Sequence, residues 1–306
     1  MGTKKYYLAA FSAFFVWGFF SLALKPIQDY PSLDILFYRV FLSVFMMVMI
    51  NVVFRRKVLL KNWKLFKSMK KKERKSVVIL TLGGAVFLSS NWFVFIYVMN
   101  NISVKAASLA YLICPILTTI FAFFILKEQL SRWQWFAVLI SAFSCFLLSF
   151  NHFEDIFYSL ITAATYAMYL VSQRKNIELD KFLVLTIQLV FTAIILLPFY
   201  PTYSGDLPTE SFFYGCLLLI VVFFTIIPLF LNLYALKGIN SSAVGIMIYI
   251  NPIIGFLLAI FYYHEKVTNL QLFSYFLILV SIVVFNEKLL FSKKVREIPA
   301  EIEVFK

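Results

Sequence analysis

Arg39 is the one charge that falls clearly inside a long apolar run. It stands about five residues into that run, roughly 7–8 Å deep at 1.5 Å per residue. A guanidinium at that depth can snorkel outward along its apolar stem. It can instead face a watery vestibule and attract an anionic group. Three amides, Asn91, Asn232 and Asn251, also fall within apolar runs. An amide in hydrocarbon must face protein or a watery path, so each either bonds a neighbouring helix or meets a solute. Trp17, Trp92, Tyr111, Tyr166 and Tyr249 are set deep in the same runs, near small residues such as Gly18, Ala167 and Gly245. Rings and amides of this kind suit the binding of a moderately apolar, neutral or weakly charged solute.

Prolines recur at similar depth. Pro115 and Pro252 each lie inside an apolar run, and Pro228 adds a third kink. A proline inside a helix has no N–H to give, which frees the carbonyl four residues earlier. For Pro115 that is the carbonyl of Tyr111, and for Pro252 that of Ile248. Each freed carbonyl needs a hydroxyl, a water or a solute, so the pair predicts two helices bent around one central region. Glu128 and Glu265 close two apolar runs. They are expected to cap and orient the following loop, pairing with Arg132 and Lys266, or to gate by making and breaking such pairs.

Other chemistry has little raw material. The 15 acidic residues fall in loops or at helix ends, which gives no support to a carboxylate proton relay at mid-membrane. His152 and His264 share no motif, and Cys114, Cys145 and Cys216 sit singly in apolar runs. That excludes a disulfide framework and a zinc spacing, so neither metal nor cofactor is expected. There is no glycine-rich phosphate loop and no cluster of catalytic side chains, so an enzyme is not expected.

The surroundings of these residues are apolar throughout. Of 306 residues 62% are apolar and 14% charged, against roughly a quarter charged in soluble domains. The sequence therefore reads as an all-α polytopic membrane protein. Ten runs are long enough to span: 7–24, 33–54, 77–99, 104–126, 133–150, 156–172, 182–200, 212–236, 241–263 and 270–286. The sixth is the weakest, with Ser159, Thr162, Thr165 and Tyr166 inside it. With the N-terminus in the cytoplasm, 24 of the 28 lysines and arginines fall inside and only Lys25, Lys105 and Lys266 outside. Both termini are then cytoplasmic by the positive-inside rule. The net charge of +13 is explained by topology, and nucleic acid is not an expected partner. In the basic loop 55–76, Trp63, Phe66 and Met69 recur every three residues. This predicts a short amphipathic helix on anionic lipid at the cytoplasmic surface.

Shifted by 137 residues, the chain matches itself without a gap. Pro115 falls on Pro252, Glu128 on Glu265 and Gln134 on Gln271, and 15 of the 63 positions from 82 to 144 are identical. Residues 1–150 and 151–290 are then two five-helix repeats, followed by a short tail, 291–306. An odd number of spans inverts the second copy, a device of secondary transporters.

The ordered set of residues resembles the drug/metabolite transporter superfamily, and within it the EamA-type, RarD-like transporters. It is carried by Trp17-Gly18, Ile35-Leu36 with Tyr38-Arg39, Asn91-Trp92, Asn100-Asn101, Ala107-Ser108-Leu109 with Tyr111 and Pro115, and Glu128 with Gln134-Trp135. In the second half it is carried by Thr225, Pro228-Leu229, Tyr249-Ile250 with Pro252, and Glu265-Lys266. Lys127 and His264 stand where that group has glycine before each loop glutamate, Asn251 where it has glycine, and Cys114 where it has asparagine. The resemblance implies a ten-span carrier of small organic solutes in the cell membrane, an exporter or importer, and leaves the solute open. A channel or a membrane-embedded enzyme is the alternative.

Overall fold

A computed structural model describes residues 3–101, 104–149, 153–176, 178–262, 264 and 268–287. Among the described residues the secondary structure is helical throughout. The chain starts with α1 (Lys4–Gly18), which breaks at Phe19 and continues as α2 (Phe20–Leu24) and a 3-10 turn to Ile27, bent by 43°. Gly18 explains the local geometry. A methyl group on it would lie 2.6 Å from Ile254 Cβ, so only a residue without a side chain lets the chain pass there.

Pro31 precedes α3 (Ser32–Met49), whose Asp34 carboxylate accepts the Gly205 N–H at 3.1 and 3.2 Å and ties the start of α3 to a distant loop. The basic loop forms α4 (Arg56–Ser68). Trp63 stays exposed on it, while Phe66 and Met69 turn inward against Val77, Leu179 and Val184. Two long helices follow, α5 (Lys71–Asn101) and α6 (Val104–Leu126), then α7 (Arg132–Ser149) and α8 (Phe153–Lys175). The second half runs through α9 (Lys181–Leu196), the single turn α10 (Tyr200–Tyr203) and α11 (Ser211–Val221). A π turn over Val222–Ile226 leads into α12 (Ile227–Leu236), then α13 (Ser241–Met247), α14 (Ile250–Phe261) and α15 (Asn269–Phe285).

Ten spans were expected. Among the described residues five helical stretches are long and apolar enough to cross a membrane, or six when the bent pair of α1 and α2 is one span. The fourth, fifth and tenth expected spans correspond to shorter apolar helices, Ala110–Leu126, Arg132–Leu148 and Asn269–Phe285. The sixth corresponds to α8, whose polar and charged residues lower its hydropathy.

The bundle is inside out by the standard of a water-soluble protein. Phe45, Phe54, Phe124, Leu139, Phe157, Ile194 and Phe261 are exposed, while Ser43, Thr118, Ser144, Gln188 and Asn232 are buried. Lipid offers helices no hydrophobic reason to associate, so small and hydrogen-bonding residues hold the interior. Asn51 donates to Thr186 at 2.8 Å (the π turn Ile50–Phe54 after α3, to α9), and the Ser89 hydroxyl to Thr192 at 2.9 Å (α5 to α9). The Ser144 hydroxyl donates to the Ser274 carbonyl at 2.7 Å (α7 to α15). Each such bond contributes roughly 0.6–2 kcal/mol.

The basic segments gather at one end. There Arg55 meets Asp180 through two bonds of 3.0 and 3.1 Å, and the Asp180 N–H donates to Asn62 of α4. Arg174 donates to the Leu236 carbonyl at 2.6 Å, and the Tyr6 ring lies 5.1 Å from that of Tyr234. The opposite end carries the Lys25–Pro31 turn and the loop around Gly205.

Candidate functional site

A cavity of about 340 Å³ opens among α1, α2, α3, α5, α6, α8, α12, α14 and the π turn. It runs from mid-bundle, at Trp17 and Tyr166, toward the end that holds Leu24 and Ile35. Its size lies at the small end of the range for organic ligands, about 300–1,000 Å³. Six residues singled out from sequence line it: Trp17, Asn91, Trp92, Tyr111, Tyr166 and Asn251. Arg39 lines it as well. Of the two positions open to it, this side chain takes the inward one.

Pro228 explains how Arg39 is held. It has no N–H for the carbonyl of Phe224 four residues earlier, and the π turn loosens the same stretch. The Phe224 carbonyl therefore faces sideways, where the Trp17 indole N–H meets it at 2.8 Å and Arg39 Nη2 approaches at 3.5 Å. The next residue, Thr225, accepts from Arg39 Nε at 2.6 Å while its own hydroxyl donates to the Ile220 carbonyl at 3.1 Å. Two rings flank the guanidinium, Trp92 at 4.7 Å and Phe20 at 5.6 Å, near enough for cation–π attraction. Sequence had offered snorkelling as one fate for this arginine. Inside the bundle a π face, a hydroxyl and a freed carbonyl replace water.

The freed carbonyl expected at Ile248 finds another partner. The helix is interrupted between Met247 and Ile250, and three-residue bonds close the gap. Ile248 N–H donates to Gly245, Tyr249 to Ile246, and the Asn251 N–H to the Ile248 carbonyl itself at 3.0 Å. No hydroxyl, water or solute is needed there, because tightening to 3-10 geometry brings a backbone N–H within reach. The break leaves the Asn251 side chain at the cavity wall, and among the described residues no protein group hydrogen-bonds its amide. Pro115, by contrast, lies within an unbroken α6.

The other expected residues stand further back. Asn91 lines the wall but spends its amide N–H on the Thr162 carbonyl at 2.8 Å and on Thr165 at 3.4 Å, which ties α5 to α8. Asn232 lies behind the wall and donates to the Tyr166 hydroxyl at 2.9 Å, fixing that ring. Tyr249 is fully buried, with Ser141 and Cys145 beside its hydroxyl. Phe20, Phe95 and Phe224 also line the cavity, and sequence reasoning counted none of them as a candidate for it. The spacing from Pro228 back to Phe224 was the signal available.

Glu128 is at the basic end, away from the cavity. Its carboxylate accepts the Ser241 N–H at 2.8 Å, the Ser242 N–H at 3.1 Å and the Ser242 hydroxyl at 2.6 Å. The expected partner, Arg132, is thus replaced by the start of α13, whose N–H groups have no donor-seeking neighbour inside the helix. Glu265, Lys266 and the tail 291–306 lie outside the described residues. Among the described residues no group of His, Cys, Asp or Glu is arranged to hold a metal.

The sequence profile of the EamA-like transporter family matches residues 4–150 and again 155–286. An uncharacterized transporter of Bacillus subtilis, YojE, is 30% identical over 93% of this chain and 94% of its own. Protein RarD of Escherichia coli is 27% identical over 92% and 94%. A solved crystal structure superposes with a TM-score of 0.74 over 95% of this chain and all of its own, at 15% identity, a likeness of fold alone.

Proposed function

The chain belongs to the EamA-like transporter family, and from that premise we propose that it is a secondary carrier of a small organic solute, working by alternating access. The observation that carries the reading is the cavity: its wall draws on α1, α2, α3, α5, α6, α8, α12 and α14, and it takes in Leu24 and Ile35 toward the end of the Lys25–Pro31 turn and no residue of the basic end. At the other end Glu128 of one half holds Ser241 and Ser242 of the other. A cavity sealed at one end is one of the two states a carrier needs, and breaking the Glu128 contacts is the step toward the second.

Ten spans in two inverted halves complete the proposal, with the cell membrane as location and both termini cytoplasmic. Glu128 meets the first turn of α13, and α13 with α14 runs on to the far end, at about 1.5 Å per residue. A path of that length supports the reading that Lys127 and His264, one repeat apart, lie at opposite ends of the bundle. Cysteines placed at 128 and 265 should react with an impermeant reagent from opposite faces of the cell; labelling from one face would remove the inverted repeat. For the carrier itself the test is counterflow. Solutes that differ between cells with and without the protein are first identified, then measured in vesicles containing it. Internal unlabelled solute should accelerate entry of the labelled form, with saturation. Flux that rises linearly and ignores the internal solute would make it a channel.

The basic helix α4 fits contact with anionic headgroups, at about 1 kcal/mol per lysine near the surface. Neutralising Lys57, Lys61 and Lys64 should lower the amount of phosphatidylglycerol that the detergent-solubilised protein retains, without altering the fold, and unchanged retention would discard that contact.

A further inference from the structure

Arg39 has donors to spare and no acid to meet them. A guanidinium carries five N–H groups in a rigid fork. One goes to Thr225 Oγ1 at 2.6 Å, and a second reaches the Phe224 carbonyl only at 3.5 Å. Trp92 and Phe20 cover its faces without neutralising it. Among the described residues no carboxylate pairs with it, and no acidic side chain lines the cavity. The nearest acid along α3, Asp34, is buried and engaged by Gly205. A lone cation in an apolar cavity is paid for only by an anion that arrives with the ligand. The fork also selects shape, since a planar carboxylate takes two parallel N–H bonds.

We propose that the solute is an organic monoanion, whose carboxylate binds Arg39 and whose apolar body lies among Trp17, Trp92, Tyr111 and Tyr166. The inference rests on the carrier reading for its biological sense, though not for its chemistry. Asn251 stands at the wall, and its amide, which has no protein partner among the described residues, offers one further polar contact. An amino acid is disfavoured, because its ammonium would enter a cavity that already holds a positive charge and no carboxylate. A cationic amine is disfavoured for the same reason.

Calorimetric titration of the full-length protein in detergent tests this with four probes of one size: phenylacetate, its neutral amide, phenylalanine and 2-phenylethylamine. Phenylacetate should bind roughly ten- to hundredfold more tightly than the other three, the gain of charge-assisted hydrogen bonds. That comparison needs no variant. Arg39→Gln should erase the preference, and Arg39→Lys should keep part of it, since lysine retains the charge and loses the fork. Equal binding of acid and amide overturns the proposal, as does a preference that survives Arg39→Gln. Absence of phenylacetate binding at millimolar concentration overturns it too. Acid-selective binding without counterflow of phenylacetate would remove the carrier and leave the anion site. Counterflow of the amide that ignores Arg39→Gln would do the reverse.

Discussion

Lys127 and His264, 137 residues apart, both hold the left-handed backbone that glycine usually supplies, at φ 57° and 53°. Four residues on, the likeness continues. Ser131 and Gln134 exchange bonds of 3.2 and 3.0 Å in a capping box at the start of α7, and Thr268 and Gln271 do the same at 3.3 and 2.9 Å at the start of α15. Asn91 and Pro228 stand at the same shift and behave oppositely. Asn91 lies within an unbroken 31-residue helix, whereas Pro228 follows a π turn that splits its helix in two. Pro115 sits inside α6 while its counterpart Pro252 sits just past a break. The two copies thus agree where turns must be made and differ where the solute would sit. A cavity built from two identical middles would present the same groups twice. Here the middle of the first copy supplies Asn91, Trp92 and Tyr111 from continuous helices, and that of the second supplies the Phe224 carbonyl at its π turn and the Asn251 side chain just past a break.

The largest way to disturb this arrangement is at an end. Glu128→Ala should remove three accepted bonds at the first turn of α13. Charge-assisted bonds contribute about 1.5–3 kcal/mol each, and they overlap here, so a loss of about 3 kcal/mol is expected. Thermal melting of the purified protein reads it directly. A variant as stable as the parent would mean that the two halves are not joined at this point.

Next in size is the middle. Pro228→Ala restores an N–H opposite the Phe224 carbonyl, which then has less need of Trp17 and Arg39. Initial transport rate should fall about tenfold, equivalent to about 1.4 kcal/mol. Pro115→Ala, inside an already continuous helix, should change the rate far less. Equal losses at Pro115 and Pro228 would erase the contrast between the middles.

The sequence carried the ends of this structure better than its centre. Lys127 and His264 were readable as departures from glycine because the family resemblance supplied the glycine expected before each loop glutamate, and a turn is a local decision of a few residues. Trp17, Trp92, Tyr111 and Tyr166 were readable as deep rings near small residues, and they share one wall. Asn232 and Tyr249 looked the same by depth, yet they lie behind that wall. Depth along a helix is written in the sequence, while rotation about its axis is set by neighbours. The Ile248 carbonyl failed for a different reason. The rule that proline frees a carbonyl assumes the helix continues, and here it breaks first, so that Asn251 supplies the missing N–H.

The smallest effect is also the sharpest test of the ends. A residue with a side chain in the left-handed region costs about 1 kcal/mol relative to glycine. Both Lys127 and His264 are exposed, so replacing either removes little packing. Lys127→Gly and His264→Gly should each raise stability by about 1 kcal/mol, partly offset by the greater freedom glycine gives the unfolded chain. The two gains should add, because the residues occupy separate turns. Melting of both single variants and the double decides it. If Lys127→Gly stabilises and His264→Gly does not, the second turn is set by its tertiary neighbours, and the agreement between the copies is a coincidence of backbone angle. If both gain and the double adds, the same local physics governs each turn, and the differences between the copies are confined to the membrane interior.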